Sequence, residues 1–152
     1  MKKIILLLLL ITSGFVGSAQ SINPESEAVK TVINHLFQGM RKGDCSLVSS
    51  TFSKGMILQS IAERKGNIEV RNEEPNGFLK AVGTPHKEIW DERITFDNIL
   101  IDGNLASVWT SYQFYLGNKF SHCGVNSFQL VKGAEGWKIV YLIDTRRKVN
   151  CN

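Results

Sequence analysis

Proline is scarce in this chain, three residues in 152, and no segment is repeated or low in complexity. With 43% hydrophobic and 21% charged residues, those absences exclude a disordered tail and a collagen-like array. Three cysteines are too few for a disulfide-dense scaffold. Cys45, Cys123 and Cys151 also lack the spacing of a zinc site, so no metal is expected. No glycine-rich loop follows a strand to cradle a phosphate; Gly66 and Gly103 read as turn glycines. Ser49, Ser50 and Ser53 lack the glycines of a nucleophile elbow, and Cys45 has no companion histidine motif. Nucleophilic catalysis is therefore poorly supported. A long apolar run is missing too: Ile4–Ile11 falls short of the roughly 20 residues a helix needs to cross a bilayer.

What that short run does match is a leader. Met1-Lys2-Lys3 is a basic start, Ile4–Ile11 an apolar stretch, and Gly17-Ser18-Ala19 supplies the small residues a signal peptidase reads. Cleavage is expected after Ala19, leaving residues 20–152 as one exported domain, periplasmic or extracellular. With no cysteine near the cut, a lipid anchor is disfavoured, and no stable membrane insertion is expected afterwards. Losing Lys2 and Lys3 takes the formal net charge from +4 to +2, which is weak support for binding nucleic acid. The local cluster Arg146-Arg147-Lys148 reads as a solvated chain end.

Asn23-Pro24-Glu25 marks a helix start, and Ala28, Val29, Val32, Ile33, Leu36, Phe37 and Met40 form its apolar stripe. Gly43 is its stop, and Asp44 caps a short second helix carrying Leu47, Val48 and Phe52. A hairpin over 56–63 and 68–71 turns at Lys65-Gly66-Asn67, and 76–82 forms a third helix. After His86 the pattern is sheet. Turn signals at Asp102-Gly103, Gly117-Asn118 and Gly133–Gly136 divide it into strands near 90–101, 104–116, 119–132 and 137–145.

Side chains alternate between faces along a strand, so turns that set the register also set the faces. Uninterrupted alternation places Trp90, Glu92, Ile94, Phe96, Trp109, Ser111, Gln113 and Tyr115 on the face under the first helix. Phe120, His122, Asn126, Phe128, Leu130, Trp137, Ile139, Tyr141, Ile143 and Thr145 join them. The other face collects Arg93, Asp97, Thr110, Tyr112, Cys123, Ser127, Gln129, Lys138, Asp144 and Arg146. One bulge would invert part of this assignment. Of the three possible disulfide pairings, Cys123–Cys151 is favoured because both residues lie towards one end of the last hairpin.

The order of helix, helix, hairpin, short helix and four meandering strands resembles the nuclear transport factor 2-like superfamily, which includes ketosteroid isomerase and the SnoaL-like cyclases. Residues 84–92, 108–115, 121–125 and 136–139, with Asp144-Thr145-Arg146, look like an exported bacterial subgroup often labelled lumazine-binding. The resemblance implies an α+β fold: a cone-shaped, curved antiparallel sheet wrapped around an N-terminal helix. It also implies a homodimer and names no cofactor. The isomerase's carboxylate base, tyrosine and protonated aspartic acid find no residue-by-residue match, because Asp91, Asp97 and Asp144 all fall on the uncovered side.

Within the covered face, Glu92, Gln113 and His122 become lateral neighbours, with strands about 4.7–4.9 Å apart. A carboxylate there has its pKa raised and could trade a proton with the histidine, so Glu92 and His122 are the catalytic candidates. Mutual hydrogen bonding is the plainer reading of such polar groups. Trp90, Trp109, Ser111, Gln113, Tyr115, Asn126 and Tyr141 are the candidate ligand contacts, their rings suited to a flat, pterin-like molecule. Trp137 reads as core, and His35 as a packed residue at the stripe's margin. His86 belongs at the cone's mouth or on the surface. The leading function is binding a small hydrophobic or aromatic molecule. The alternatives are a cofactor-free isomerase or cyclase, and a homodimeric interaction module paired through Val108, Tyr112, Phe114, Val125, Val140 and Leu142.

Overall fold

The computed structural model describes residues 23–64 and 66–151; the expected leader, its cleavage site and Lys65 of the hairpin turn lie outside them. Asn23 Oδ1 accepts from the Glu25 amide at 3.0 Å, and Pro24 opens helix α1, Pro24–Lys42. Gly43 ends it in the left-handed region, φ 68°, where a residue without Cβ carries no steric penalty. Asp44 Oδ1 then caps α2, Cys45–Thr51, by accepting from Leu47 N at 2.9 Å. Strands β1, Phe52–Arg64, and β2, Asn67–Glu73, form the hairpin, and α3 spans Pro75–Gly83. The long strands β3, Trp90–Asp102, β4, Leu105–Leu116, β5, Lys119–Gly133, and β6, Gly136–Thr145, complete the chain.

These strands make one open, curved sheet in the order β2-β1-β6-β5-β4-β3. Neighbours pair antiparallel except β1 with β6, which are parallel. The α1 stripe of Val29, Ile33, Leu36, Phe37 and Met40 packs against Val108, Phe128, Leu130 and Ile139 on the concave face. Glu25 fixes the helix start by accepting from Lys132 Nζ at 2.7 Å and Trp137 Nε1 at 2.9 Å.

Turn positions are close to those expected, with Asp102 facing Leu105 and Leu116 facing Lys119. Within β3–β6, however, alternation is broken three times. One extra residue bulges at Asp97, one at Ser121 and one at Val140. Along β6 the buried positions run Trp137, Ile139, then Leu142 and Asp144, a change of phase at the bulge.

Each bulge moves the residues beyond it to the other face. Trp109, Ser111, Gln113 and Tyr115 consequently lie on the convex face, not under the helix, and Trp109 is half exposed. Phe120 joins Tyr115 there, their rings 5.7 Å apart, and Tyr141, Ile143 and Thr145 move with the second half of β6. In exchange Thr110, Tyr112 and Asp144 turn inward, and Arg146 bonds to concave-face groups. The dimer surface drawn from uninterrupted alternation is lost as well, because Val108, Tyr112 and Leu142 are buried.

At Gly39, in α1, an added Cβ would lie 2.6 Å from Val48 Cγ2 and 2.9 Å from the Asp44 carbonyl oxygen. Backbone on one side leaves little room to yield. Gly39→Ala is expected to lower stability by about 1–3 kcal/mol, read as a lower urea midpoint at unchanged slope.

Candidate active site

Beyond the part of the concave face that α1 covers, the inward positions turn polar. Ladder partners share a face, so Ser60 on β1, Asp144 on β6 and Asn126 on β5 form a row, continued by Thr110 on β4. Glu92 reaches the same group from β3, with Phe114 and His122 as its lateral neighbours. Asn126 is the link: its Nδ2 donates to Glu92 Oε1 at 2.8 Å and lies 3.4 Å from Thr110 Oγ1.

Tyr112 crosses the sheet because its partner on β5 is Gly124. A Cβ at Gly124 would lie 2.7 Å from Tyr112 Cε1 and 1.8 Å from the Thr145 carbonyl oxygen, so glycine is required there. The Tyr112 hydroxyl donates to that Thr145 oxygen at 2.8 Å and lies 3.3 Å from Asp144 Oδ2. Asp144 also accepts from the Ser60 hydroxyl and, at 2.8 Å, from Arg146 Nε. Arg146 Nη2 donates to Ser60 Oγ at 2.8 Å, closing the ring of contacts.

Two carboxyl groups thus share one face in unlike surroundings. Asp144 has a guanidinium and two hydroxyls. Glu92 has one amide, and burial, reinforced by the charge of Asp144, pushes it up to about 7 against the bond from Asn126. Burial likewise raises the Tyr112 phenol above its ordinary range, with the charges of Asp144 and Glu92 adding to it, so Tyr112 stays a donor. His122 packs edge-on to Tyr112 at 5.7 Å and against Phe114 at 5.0 Å. Burial and then the Arg146 charge lower its pKa, favouring the neutral imidazole. Near pH 7 Glu92 can give or take a proton, which general acid–base chemistry needs, while the Tyr112 phenol proton is committed to the Thr145 carbonyl.

Of the residues singled out from the sequence, Glu92, His122, Asn126 and Trp90 lie on this face. The expected chain from Glu92 through Gln113 to His122 does not form: Gln113 is on the convex side, accepting from the Tyr115 hydroxyl at 2.9 Å. Ser111 there donates to Asp97 at 2.6 Å, and Tyr141 donates to Gln59 at 2.6 Å. Cys123 and Cys151 are bonded, and Cys45 is free. Asp91 is buried between Arg41 and Arg93, and Asp97 is exposed at its bulge, so neither reaches the site. Asp144 does reach it, which reverses the expectation that it falls on the uncovered side.

Missed from sequence were Ser60, Thr110, Tyr112, Asp144 and Arg146, all displaced by the bulges or carried on the parallel strand. Open clefts of about 760, 350 and 490 Å³ exist near α2, His86 and the β5–β6 turn, none of them lined by Glu92, Asn126 or Asp144. The polar cluster is instead packed by its own side chains, opening where Arg146 is half exposed. Among the described residues no group of His, Cys, Asp or Glu is arranged to hold a metal. No helix there is long and apolar enough to cross a membrane.

A nuclear transport factor 2-like protein of unknown function from Shewanella baltica superposes with a TM-score of 0.65, covering 81% of this chain and 94% of its own at 16% identity. The fold is that of the nuclear transport factor 2-like proteins. A conserved protein from Planctomyces limnophilus shares this nuclear transport factor 2-like architecture at TM-score 0.65 and 17% identity, over 82% of this chain and 98% of its own. A ketosteroid isomerase-like protein from Erwinia carotovora gives 0.60 and 12%, again over 82% and 98%. No family model matches the sequence, and no curated protein does. At these identities the likeness establishes the nuclear transport factor 2-like fold alone, a fold that hosts unrelated chemistries.

Glu92 offers a direct check. Its folded pKa exceeds the ordinary 4.5, so the stability its proton supports is present at acid pH and is lost as pH rises from about 4.5 through 7. The full swing is about 3 kcal/mol. Glu92→Gln is expected to flatten that slope, gaining on the wild type at pH 8 and not at pH 4.5, measured by urea denaturation.

Proposed function

We propose that this is an exported protein that binds a small, partly apolar molecule at the open end of the concave face, with Glu92 as the polar contact. The supporting observation is Glu92 itself: a carboxyl group held near neutrality inside an aromatic surround of Trp90, Phe114 and His122, with one hydrogen bond from Asn126. Such a group hydrogen-bonds a ligand as donor or acceptor according to pH. Export rests on residues 1–19 of the sequence. A flat, pterin-like ligand loses its support, since Trp109, Tyr115 and Tyr141 face away from this surface and Trp90 alone of the stacking set remains.

A second reading, a cofactor-free isomerase or cyclase, is favoured by the raised Glu92 beside the Tyr112 phenol and a second acid, Asp144. The two readings separate in one experiment. Native mass spectrometry of the exported protein is expected to show a retained compound that Glu92→Ala weakens at least tenfold. Incubating that compound in D₂O distinguishes turnover from storage: deuterium incorporation with the wild type but not Glu92→Gln marks an enzyme, and no exchange in either marks a binder. A wild type retaining nothing, with Glu92→Ala indistinguishable from it, would remove both.

A further inference from the structure

The basic cluster Arg146-Arg147-Lys148 has a different setting from that of a free chain end. Beyond β6 the backbone runs on alongside β5 as a strap, resuming the β5–β6 register where Arg147 faces Cys123. Cys123 N donates to the Arg147 carbonyl at 2.9 Å, and Arg147 N to the Cys123 carbonyl at 2.9 Å. The Cys123–Cys151 disulfide staples its end, and Val125 N donates to Thr145 Oγ1 at 3.1 Å to hold its start. Between these anchors Arg146 can only lie across Gly124, over the mouth of the polar cluster.

There its guanidinium is half committed. Nε goes to Asp144 and Nη2 to Ser60, while Nη1 has no partner among the described residues and the side chain is about half exposed. Among the described residues the strap's other cations form no ion pair: Arg147 Nε donates to the Asn150 carbonyl, and the charge of Lys148 is felt at His122. The acids acting on Arg146 are Asp144 and Glu73; Arg147, opposite Cys123, belongs to the convex face, and Glu92 adds little negative charge while it holds its proton. A planar fork with one open N–H pair, fixed in place by its bonds to Asp144 and Ser60, is what recognises a carboxylate.

We propose that Arg146 is the recognition residue for an anionic group, and that the molecule bound at Glu92 is a small organic acid, its carboxylate on Nη1 and its body against Phe114 and His122. This rests on the concave-face binding of a small molecule and adds the ligand's class. It also gives the disulfide a purpose, since the staple holds the recognising side chain in register.

The test uses matched probes, benzoate with benzamide and phenylacetate with phenylacetamide, titrated into the disulfide-bonded protein. Binding is read from the Asn126 Nδ2 and His122 ring resonances. The acids are expected to bind at least tenfold more tightly than the amides, with a preference that weakens as salt is raised. Arg146→Gln should reduce the preference to less than threefold, and Arg146→Lys should keep part of it. Cys123→Ser/Cys151→Ser should lose it with Arg146 intact, a control against simple misfolding of the arginine variant. Acids and amides binding alike, or a preference that survives Arg146→Gln, overturns the carboxylate assignment and leaves the concave-face reading standing. Neither probe class moving these resonances in the wild type counts against both.

Discussion

Alternation along a β-strand is rigid, and the single extra residues at Asp97, Ser121 and Val140 decide what this protein presents on its concave face. The change from apolar to polar inward positions falls between Val108 and Thr110 on β4, between Phe128 and Asn126 on β5, and between Leu142 and Asp144 on β6. On the helix side the inward positions are Val108, Phe128, Leu130 and Ile139, all essentially inaccessible. On the far side they are Thr110, Tyr112, Asn126 and Asp144, also buried but polar. Helix α1 is 19 residues long, about 28 Å at 1.5 Å per residue, and anchored at Glu25 and Arg41. The sheet extends beyond that roof, which explains why its apolar half stops where it does.

The polar half is held together by unequal solvation of two acids. An isolated carboxylate in such a place would take up a proton, since burial disfavours its charge. Asp144 instead meets the Ser60 hydroxyl and the Arg146 guanidinium. Glu92 has one neutral donor, so burial prevails and its affinity for a proton rises. Each difference of one pKa unit corresponds to about 1.4 kcal/mol between protonation states, so the geometry of a few donors is enough to give neighbouring carboxyls separate roles. The same logic assigns Tyr112: with its phenol proton held tightly, it can contribute a hydrogen bond but not a charge.

Much of this was legible in the sequence. Caps at Asn23 and Asp44, the stop at Gly43, and glycine turns at 103 and 117 are local devices, and local chemistry writes them plainly. The helix stripe and the position of every long strand came with them. The bulges were not legible, because β4 supports two alternations. One set, Ala106, Val108, Thr110 and Tyr112, is the buried one; the other contains Trp109 and Tyr115, whose size drew the assignment. Large aromatic surface is a strong burial signal on average, yet Trp109 is half exposed and the smaller residues fill the interior. Ser60 was hidden for a different reason: the parallel pairing of β1 with β6 joins residues 84 positions apart, beyond any turn's reach.

Gly124 shows how a site can depend on something no side chain supplies. Its missing Cβ lets the Thr145 carbonyl descend onto β5 and the Tyr112 ring pass over it. That descent starts the strap, and the 28-residue separation of Cys123 and Cys151 closes it covalently. A bridge over a loop of that size restricts the unfolded chain by a few kcal/mol in the entropic account, but its local consequence is positional. Without the staple, residues 146–151 would be held by two backbone bonds and the side-chain bonds of Arg146, and an exposed chain end so lightly fixed frays. Arg146 would then sample many rotamers, the Asp144 carboxylate would lose its counter-charge for part of the time, and the repulsion felt at Glu92 would grow.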